Sequence, residues 1–292
     1  MKKDFKLFCF GFGQVEKYFV QNLIKKNIKF KLIATNTKKT QIKNFKGINY
    51  KTYFFSNNKF DKDLLNELNS SNKVLISIPP KDKIDIVLKI FNKNFKKEKF
   101  DWVTYLSATS VYGDHKGRWV DEKTKLKSIT KKGVARRICE KSWLKYYKNY
   151  DLPVQIFRLS GTYSIERNLI KRLKTRKQKV VQIRNHYFSR IHAEDIAEIL
   201  ALSIKKNYPG EIFNISDDFP CCNEEITKYA VKLTKMVMPK KIKLDKINNK
   251  QLKGFYKESK KVNNSKMKKF FKYKLKYPTY REGLQMISNY KF

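Results

Sequence analysis

Short apolar runs alternate along the chain with longer segments in which apolar residues recur every three or four positions. In the first of these segments, Val15, Tyr18, Phe19 and Leu23 follow helical spacing, which predicts a helix ending near Lys26. Further helices are predicted over 84–91, 133–149, 166–177, 195–205 and 223–235, the last with Asn223 as its N-cap. The apolar runs predict strands over 5–10, 30–34, 74–78, 101–107, 154–159 and 212–215, with one or two more within 180–191. Strands that alternate with helices indicate βαβ units around a parallel sheet, an α/β fold.

The clearest chemical signal is a glycine turn, Gly11-Phe12-Gly13, between the first predicted strand and the first predicted helix. A strand, a glycine turn and a helix in this order are the setting of a dinucleotide-binding fingerprint. The first glycine would make the tight turn, and the second would let backbone N–H groups approach a diphosphate at the helix N-terminus. Glu16 stands where the fingerprint has a third small residue, so either the helix packs differently or Glu16 points outward. The alternative is an ordinary turn between a strand and a helix.

The end of the second predicted strand distinguishes the two nicotinamide cofactors. NAD-specific sites place a carboxylate there to bind the ribose 2′-OH. Residues 34–39 read Ala-Thr-Asn-Thr-Lys-Lys and contain no carboxylate. Hydroxyls and lysines suit a 2′-phosphate, so NADP is preferred and NAD stays possible.

The composition is strongly basic but does not by itself indicate a specific function. The chain has 292 residues, with 67 Lys and Arg against 26 Asp and Glu, a formal net charge of +41. Lys, Asn, Ile, Phe and Tyr, whose codons are rich in A and T, are all abundant, and the lysines are spread along the chain. We therefore interpret the charge as a solvated lysine surface with weak, non-specific polyanion binding, rather than as a dedicated nucleic-acid site.

Other function classes find no support in the sequence. No apolar run approaches the length of a membrane span, and the 41% hydrophobic content argues against global disorder. Three scattered histidines and four cysteines without metal or redox spacing predict no metal site. The cysteine pattern favours a reducing cytoplasm.

Several segments in chain order carry a family resemblance: GFG, LISIPP, YLSATSVYGDHKGRWVDE, FRLSGTYSIERN, SRIHAEDIAE, IFNISDD and YPTYREGL. Together they resemble the extended short-chain dehydrogenase/reductase superfamily, the NAD-dependent epimerase/dehydratase group, and are most similar to its atypical branch. The resemblance implies a Rossmann-type doubly wound parallel sheet in residues 1–163, with a smaller C-terminal α+β substrate lobe in 164–292. It also implies that segments near 180–205 and 212–216 return to the first domain.

The resemblance further implies roles for individual residues. The diphosphate would be lined by Gly11, Phe12, Gly13, Gln14 and Val15, and the adenosine ribose would be met by Thr35, Asn36, Thr37 and Lys38. The cofactor edge would be covered by Ser77, Ile78, Pro79 and Pro80, and the nicotinamide would be approached by Ser160, Gly161 and Thr162.

The expected catalytic positions depart from the family pattern. Members that transfer hydride use a Ser or Thr, a Tyr, and a Lys four residues after that Tyr. In this chain the Ser or Thr position falls on an alanine flanked by Ser107 and Thr109, the Tyr position on Lys132 and the Lys position on Arg136. A guanidinium stays protonated at neutral pH and cannot act as a base. The candidate catalytic residues are therefore Ser107, Thr109, Lys132 and Arg136.

The leading hypothesis is an NAD(P)-binding oxidoreductase or epimerase-like enzyme that acts on a polar small molecule, phosphorylated or nucleotide-linked. The second is a non-enzymatic NADP-binding sensor or scaffold, which the missing tyrosine favours. The third, a nucleic-acid-associated protein, rests on charge alone. A monomer and a homodimer are both compatible with the sequence, and no membrane partner is expected.

Overall fold

The structure is a computed structural model that describes residues 4–175, 179–183, 185–248, 253–254 and 256–290. The chain divides into two compact units, each built from several segments. The first comprises Met1–Ala108, Val134–Arg158 and Ile196–Phe213, and the second comprises Thr109–Gly133, Leu159–Asp195 and Asn214–Phe292. The domain boundary predicted between residues 163 and 164 stays a prediction.

A nine-stranded, mostly parallel sheet forms the centre of the fold, as the alternation of strands and helices predicted. The strands, in chain order, are β1 (Phe5–Phe10), β2 (Phe30–Asn36), β3 (Gln41–Phe45), β4 (Ile48–Ser56), β5 (Lys59–Phe60), β6 (Lys73–Ile76), β7 (Trp102–Ala108), β9 (Val154–Leu159) and β13 (Ile212–Ile215). Their order across the sheet is β13-β9-β7-β6-β1-β2-β4-β3, with β5 paired to β4. β3 and β5 both pair antiparallel with β4, whereas β1, β2, β4, β6 and β7 pair in parallel with their neighbours in this series. The prediction of an α/β Rossmann-type sheet is confirmed.

Six short strands lie outside the large sheet and pair in twos. They are β8 (Trp119–Val120) with β15 (Lys261–Val262), β10 (Gly161–Tyr163) with β12 (Arg190–His192), and β11 (Val180–Gln182) with β14 (Lys241–Lys243). All three pairs are parallel. These strands lie in the second unit.

Among the described residues, helices occupy all six predicted segments with shifted ends, and three further helices were not predicted. They are α1 (Gln14–Lys25), α2 (Asp63–Asn69), α3 (Ile86–Lys97), α4 (Lys131–Tyr150), α5 (Leu169–Lys174), α6 (Ala193–Lys205), α7 (Asn223–Thr234), α8 (Ser265–Phe271) and α9 (Tyr280–Ser288), with 3₁₀ turns at Thr109–Tyr112 and Leu244–Lys246.

Helices α3 and α5 begin later than predicted because side chains cap them there, and α7 has a different cap from the predicted one. Helix α3 begins after Asp85, whose carboxylate accepts two amides of the first turn. Helix α5 begins after Asn168, and its predicted extension to 176–177 lies outside the described residues. The prediction of Asn223 as the cap of α7 is wrong, because the Cys222 sulfur accepts the Glu225 N–H and Asn223 is the first helical residue.

The core of the first unit is rich in aromatic side chains. Phe10 contacts Phe91 with ring centroids 5.3 Å apart, and Phe95 meets Trp143 edge-on at 5.0 Å. These rings join α3 and α4 to the face of the sheet, and all four are buried. Burial of this kind stabilises a domain by about 25 cal/mol per Å² of apolar surface. The aromatic core therefore holds β1 and its flanking helices in place.

Candidate functional site

The candidate site lies at the carboxyl ends of β1, β2 and β6. β1 pairs with β2 on one side and β6 on the other, and all three strands run parallel. The order of the sheet in sequence changes direction at β1. In open α/β sheets, ligands bind at such a switch point, outside the carboxyl ends of the strands. The turns after these three strands therefore meet where a ligand is expected.

The turn after β1 requires glycine at its first position. Gly11 has a φ of +97°, and a Cβ built on it would lie 2.7 Å from Ser77 Oγ. A left-handed backbone and a contact this close are both tolerated only by glycine. The Gly11 N–H donates to Thr35 Oγ1 at 2.9 Å, and the Ser77 N–H donates to the Phe10 carbonyl at 3.1 Å. The turn is thus fastened to the ends of both neighbouring strands.

The rest of the glycine turn leads directly into α1. The Phe12 ring packs on Tyr50, with centroids 4.9 Å apart, so that its side chain anchors the turn to β4. Gly13 is exposed and is the N-cap of α1, and Gln14 and Val15 form the first turn of the helix. The backbone of these residues can therefore approach a ligand closely.

Glu16 is the one residue of this turn that departs from a dinucleotide fingerprint. Its side chain is buried, at 3% exposure, and does not point outward. The Gly13 N–H donates to Glu16 Oε2 at 2.7 Å, which closes one half of a capping box. Glu16 also helps burial to raise the pKa of the neighbouring Cys9 thiol. The spacing of Glu16 from Gly13 was a visible signal for this cap.

The turn after β2 is polar and partly internal. Thr35 is buried and faces the glycine turn, whereas Thr37 and Lys38 are exposed. The Asn36 carboxamide accepts the Lys38 N–H at 2.6 Å and donates to the Thr52 hydroxyl. The segment therefore presents Thr37 and Lys38, but not Thr35, to solvent.

The turn after β6 lies beside the glycine turn. Ser77 Oγ donates to the Phe10 carbonyl at 3.0 Å, and Ile78 Cγ1 lies 3.7 Å from the position of a Gly11 Cβ. Pro79 is exposed and Pro80 is half-buried. Ser77 and Ile78 therefore border the glycine turn; that these four residues cover a bound cofactor stays a prediction.

A buried ion pair lies beneath the end of β7. Arg158 Nη2 donates to Glu140 Oε2 at 2.7 Å, and Ser107 Oγ donates to Glu140 Oε1 at 2.6 Å. All three side chains are about 2% exposed. The Ser107 hydroxyl proton is therefore held by a carboxylate in this structure. Glu140 and its network were not predicted from the sequence.

Helix α4 carries the two residues that stand at the expected tyrosine and lysine positions. Lys132 is exposed in its first turn. Arg136, one turn later, is half-buried and donates from Nη1 to the Leu106 carbonyl at 2.9 Å. This contact ties Arg136 to the strand that ends at the Ser107 network. Both positions thus carry basic side chains where the family resemblance places a tyrosine and a lysine.

The second unit carries the remaining predicted residues. Thr109 opens the 3₁₀ turn Thr109–Tyr112 and is half-buried. The Ser160 N–H donates to the Ile215 carbonyl at 3.0 Å, and the Gly161 N–H donates to the Ser189 carbonyl at 3.0 Å. Thr162 Oγ1 donates back to the Ser160 carbonyl at 3.3 Å. Ser160, Gly161 and Thr162 therefore form an ordered turn and strand; their approach to a nicotinamide stays a prediction.

Two buried titratable groups of the second unit have shifted pKa values. Burial raises the pKa of Asp217 well above its ordinary value, against the Arg190 charge and the backbone N–H groups of Arg190 and Phe219. Burial lowers the pKa of His192 to about 4. His192 packs against Tyr163 and Tyr277, with ring centroids 5.0 and 4.3 Å away. His192 is therefore neutral at pH 7, and burial disfavours the charged form of Asp217.

Within the described ranges, no group of three or more His, Cys, Asp or Glu side chains could hold a metal ion. In the same part of the chain, every helix is too short or too polar to cross a bilayer.

The chain matches known proteins both in sequence and in fold. Residues 82–216 match the model of the NAD dependent epimerase/dehydratase family. A dTDP-D-glucose 4,6-dehydratase from Homo sapiens is 26% identical over 150 residues, which span 47% of this chain and 41% of that protein.

Solved structures share the fold over almost the whole chain. A functionally unknown conserved protein from Silicibacter pomeroyi is 29% identical, with a TM-score of 0.85 over 97% of this chain and 98% of that one. A dTDP-glucose 4,6-dehydratase from Bacillus anthracis in complex with NAD is 18% identical, with a TM-score of 0.77 over 97% and 95%. A UDP-glucuronic acid 4-epimerase from Bacillus cereus in complex with UDP-glucuronic acid and NAD is 17% identical, with a TM-score of 0.79 over 98% of both chains. Residues 82–216 therefore match the NAD dependent epimerase/dehydratase family, and the chain shares the Rossmann-type fold of these solved structures.

Proposed function

We propose that the chain is an NAD(P)-dependent oxidoreductase or epimerase that binds its dinucleotide at the glycine turn after β1. The observation that carries this proposal is Gly11, whose left-handed backbone and contact with Ser77 exclude any side chain at the switch point of the sheet. The open first turn of α1 offers a diphosphate the positive end of a helix. The family match favours an enzyme and does not support the alternative of a non-enzymatic sensor or scaffold.

The residues of the turn fit a dinucleotide with one exception. Gly11 and Gly13 put no side chain between the turn and a diphosphate, whereas the Glu16 carboxylate already accepts the Gly13 N–H. Gln14 and Val15 belong to the same first helical turn and would contribute backbone N–H groups. Ser77, Ile78, Pro79 and Pro80 would cover the cofactor on the β6 side.

We propose NADP rather than NAD as the preferred cofactor. Thr37, Lys38 and Lys39 are exposed after β2, and no carboxylate stands between residues 34 and 39 to bind a ribose 2′-OH. NAD is present in the related dehydratase and epimerase structures. A direct comparison of NADPH and NADH affinity tests the choice; a Lys38→Glu variant should lose affinity for NADPH and not for NADH, and equal losses would contradict it.

A bound nicotinamide would supply the hydride donor or acceptor, and the chain's own residues would position the substrate and move protons. Arg136 cannot act as a base, because a guanidinium keeps its proton at pH 7. The Ser107 hydroxyl donates its hydrogen bond to Glu140. It can therefore accept a hydrogen bond from a substrate hydroxyl but is poorly placed to donate one. This favours the Thr109 hydroxyl and the Lys132 ammonium as proton carriers.

We propose a nucleotide-linked sugar as the substrate. Related proteins are a dTDP-glucose dehydratase and UDP-sugar epimerases, one of them with UDP-glucuronic acid bound. The test is to incubate the full chain and NADP or NAD with a panel of UDP- and dTDP-sugars, and to follow reduced nicotinamide and sugar product. Turnover that is lost in Thr109→Val and Lys132→Met supports the proposal. Binding of the dinucleotide without turnover of any such sugar would contradict the substrate class.

A cytoplasmic location, a monomer or homodimer, and weak polyanion binding stay predictions.

A further inference from the structure

Glu16 places a carboxylate of the chain itself where an anionic ligand is expected to bind. It is the third residue of α1, and its Oε2 accepts the N–H of Gly13, the residue before the helix, at 2.7 Å. The site lies at the positive end of the helix dipole, which favours a negative charge. The side chain is buried, and among the described residues its Oε1 atom has no hydrogen-bond partner.

The same N–H is one that a bound diphosphate would use. The Gly13 N–H has a single hydrogen, and a carboxylate oxygen and a phosphate oxygen cannot both take it. Two anions held within a few ångströms also repel, and burial strengthens that repulsion. A Cβ atom built on Gly13 would lie 3.2 Å from Glu16 Oε2, so the carboxylate fills the space directly beside the turn.

We propose that Glu16 is an internal competitor for the dinucleotide, which binds at the glycine turn only when the Glu16 carboxylate leaves the Gly13 N–H. This inference rests on the proposed function. Glu16 then sets the affinity for the cofactor without contacting its reacting atoms, and it lowers affinity for NADH and NADPH alike. It does not distinguish the two, because their difference lies at the adenosine ribose.

The chain offers a matched control for a helix cap without this role. At α9, Glu282 Oε2 accepts the Thr279 N–H at 2.9 Å in the same capping-box arrangement. Glu282 lies in the second unit, whereas the glycine turn lies in the first. Loss of either cap weakens a helix end, but only loss of Glu16 removes an anion from the glycine turn.

The test is equilibrium titration of the full chain with NADH and NADPH, for the wild type and the Glu16→Gln, Glu16→Ala and Glu282→Ala variants. Glu16→Gln keeps an oxygen that can accept the Gly13 N–H and removes the charge, so it also serves if Glu16→Ala fails to fold. We expect Glu16→Ala and Glu16→Gln to bind both dinucleotides at least 10-fold more tightly, and Glu282→Ala to bind as the wild type does. We also expect Glu16→Ala without ligand to melt at a lower temperature than the wild type.

Affinity and stability thus move in opposite directions, which a purely structural cap would not produce. Affinity that is unchanged or weaker in both Glu16 variants would overturn the inference while leaving the cofactor role intact. An absence of binding in every variant at millimolar dinucleotide would overturn the cofactor role itself, and the inference with it.

Discussion

Replacing Glu140 with glutamine tests the energetics of the buried network under β7. The change keeps the shape of the side chain but removes its charge, and it leaves the Arg158 guanidinium buried without an anion. Removing one partner of a buried ion pair costs about 3–5 kcal/mol, because the remaining charge is uncompensated. Ser107→Ala removes only one hydrogen bond to the carboxylate and should cost about 1.5–3 kcal/mol.

Glu224→Gln is the matched control on the surface. Glu224 accepts from Lys228 and Lys241 at 2.9 Å each, but both lysine side chains are about half exposed or more. Exposed pairs of this kind contribute about 0–1 kcal/mol. The contrast between Glu140→Gln and Glu224→Gln therefore isolates the effect of burial.

Urea unfolding followed by tryptophan fluorescence is the assay. Trp102 and Trp143 are fully buried in the first unit, which also contains the Ser107–Glu140–Arg158 network. Their emission therefore reports the unfolding of that unit. With a slope of about 3 kcal/mol/M, Glu140→Gln should lower the midpoint by about 1 M or more. A midpoint equal to that of Glu224→Gln would refute the assignment of a buried, energetically coupled pair.

Three further predictions concern backbone strain and buried titratable groups. Gly11→Ala should abolish dinucleotide binding and should lower the melting temperature more than Gly47→Ala does. Gly47 also has a positive φ, +84°, but a Cβ built on it would meet nothing within 4 Å. Equal melting temperatures of the two variants would contradict the Ser77 contact. Because the pKa of His192 is about 4 in the fold and about 6.5 unfolded, its contribution, up to about 3 kcal/mol, is present above pH 6.5 and lost as pH falls through 4. The urea midpoint of His192→Asn should therefore fall less between pH 7 and pH 4.5 than that of the wild type. An equal fall of the two midpoints would contradict the lowered pKa of His192. Because the pKa of Asp217 is raised in the fold, this residue lowers the free energy of unfolding increasingly as pH rises above about 3.9. Asp217→Asn should therefore melt at a higher temperature than the wild type at pH 7, and the two should melt alike near pH 3.5. A lower melting temperature of Asp217→Asn at pH 7 would contradict the raised pKa.

Strands with a continuous apolar run were predictable from the sequence. β1, β9 and β13 have the predicted bounds, because buried parallel strands are apolar on both faces and are bounded by turn residues. β3, β4, β5 and α2 were not predicted. The hairpin β3–β4 carries lysines and asparagines among its apolar residues and lies at the sheet edge, where pairing with β2 and not the local pattern decides its conformation.

The candidate site was predictable only where it is local in sequence. The glycine turn could be identified because a strand, two glycines and a helix follow one another within a few residues. The Glu16 cap was equally local, since a glutamate at the third helical position commonly reaches back to the N-cap. The Ser107–Glu140–Arg158 network was out of reach, because it joins residues from a strand, a helix and a second strand that only the tertiary fold brings together.

The most direct test of the account is a crystal structure of the full chain grown with saturating NADPH. The account predicts that the diphosphate lies within hydrogen-bond distance of backbone N–H groups of residues 11–15, with the Glu16 carboxylate displaced from Gly13. A coenzyme bound elsewhere, or a glycine turn that keeps its Glu16 contact and binds no diphosphate, would contradict it.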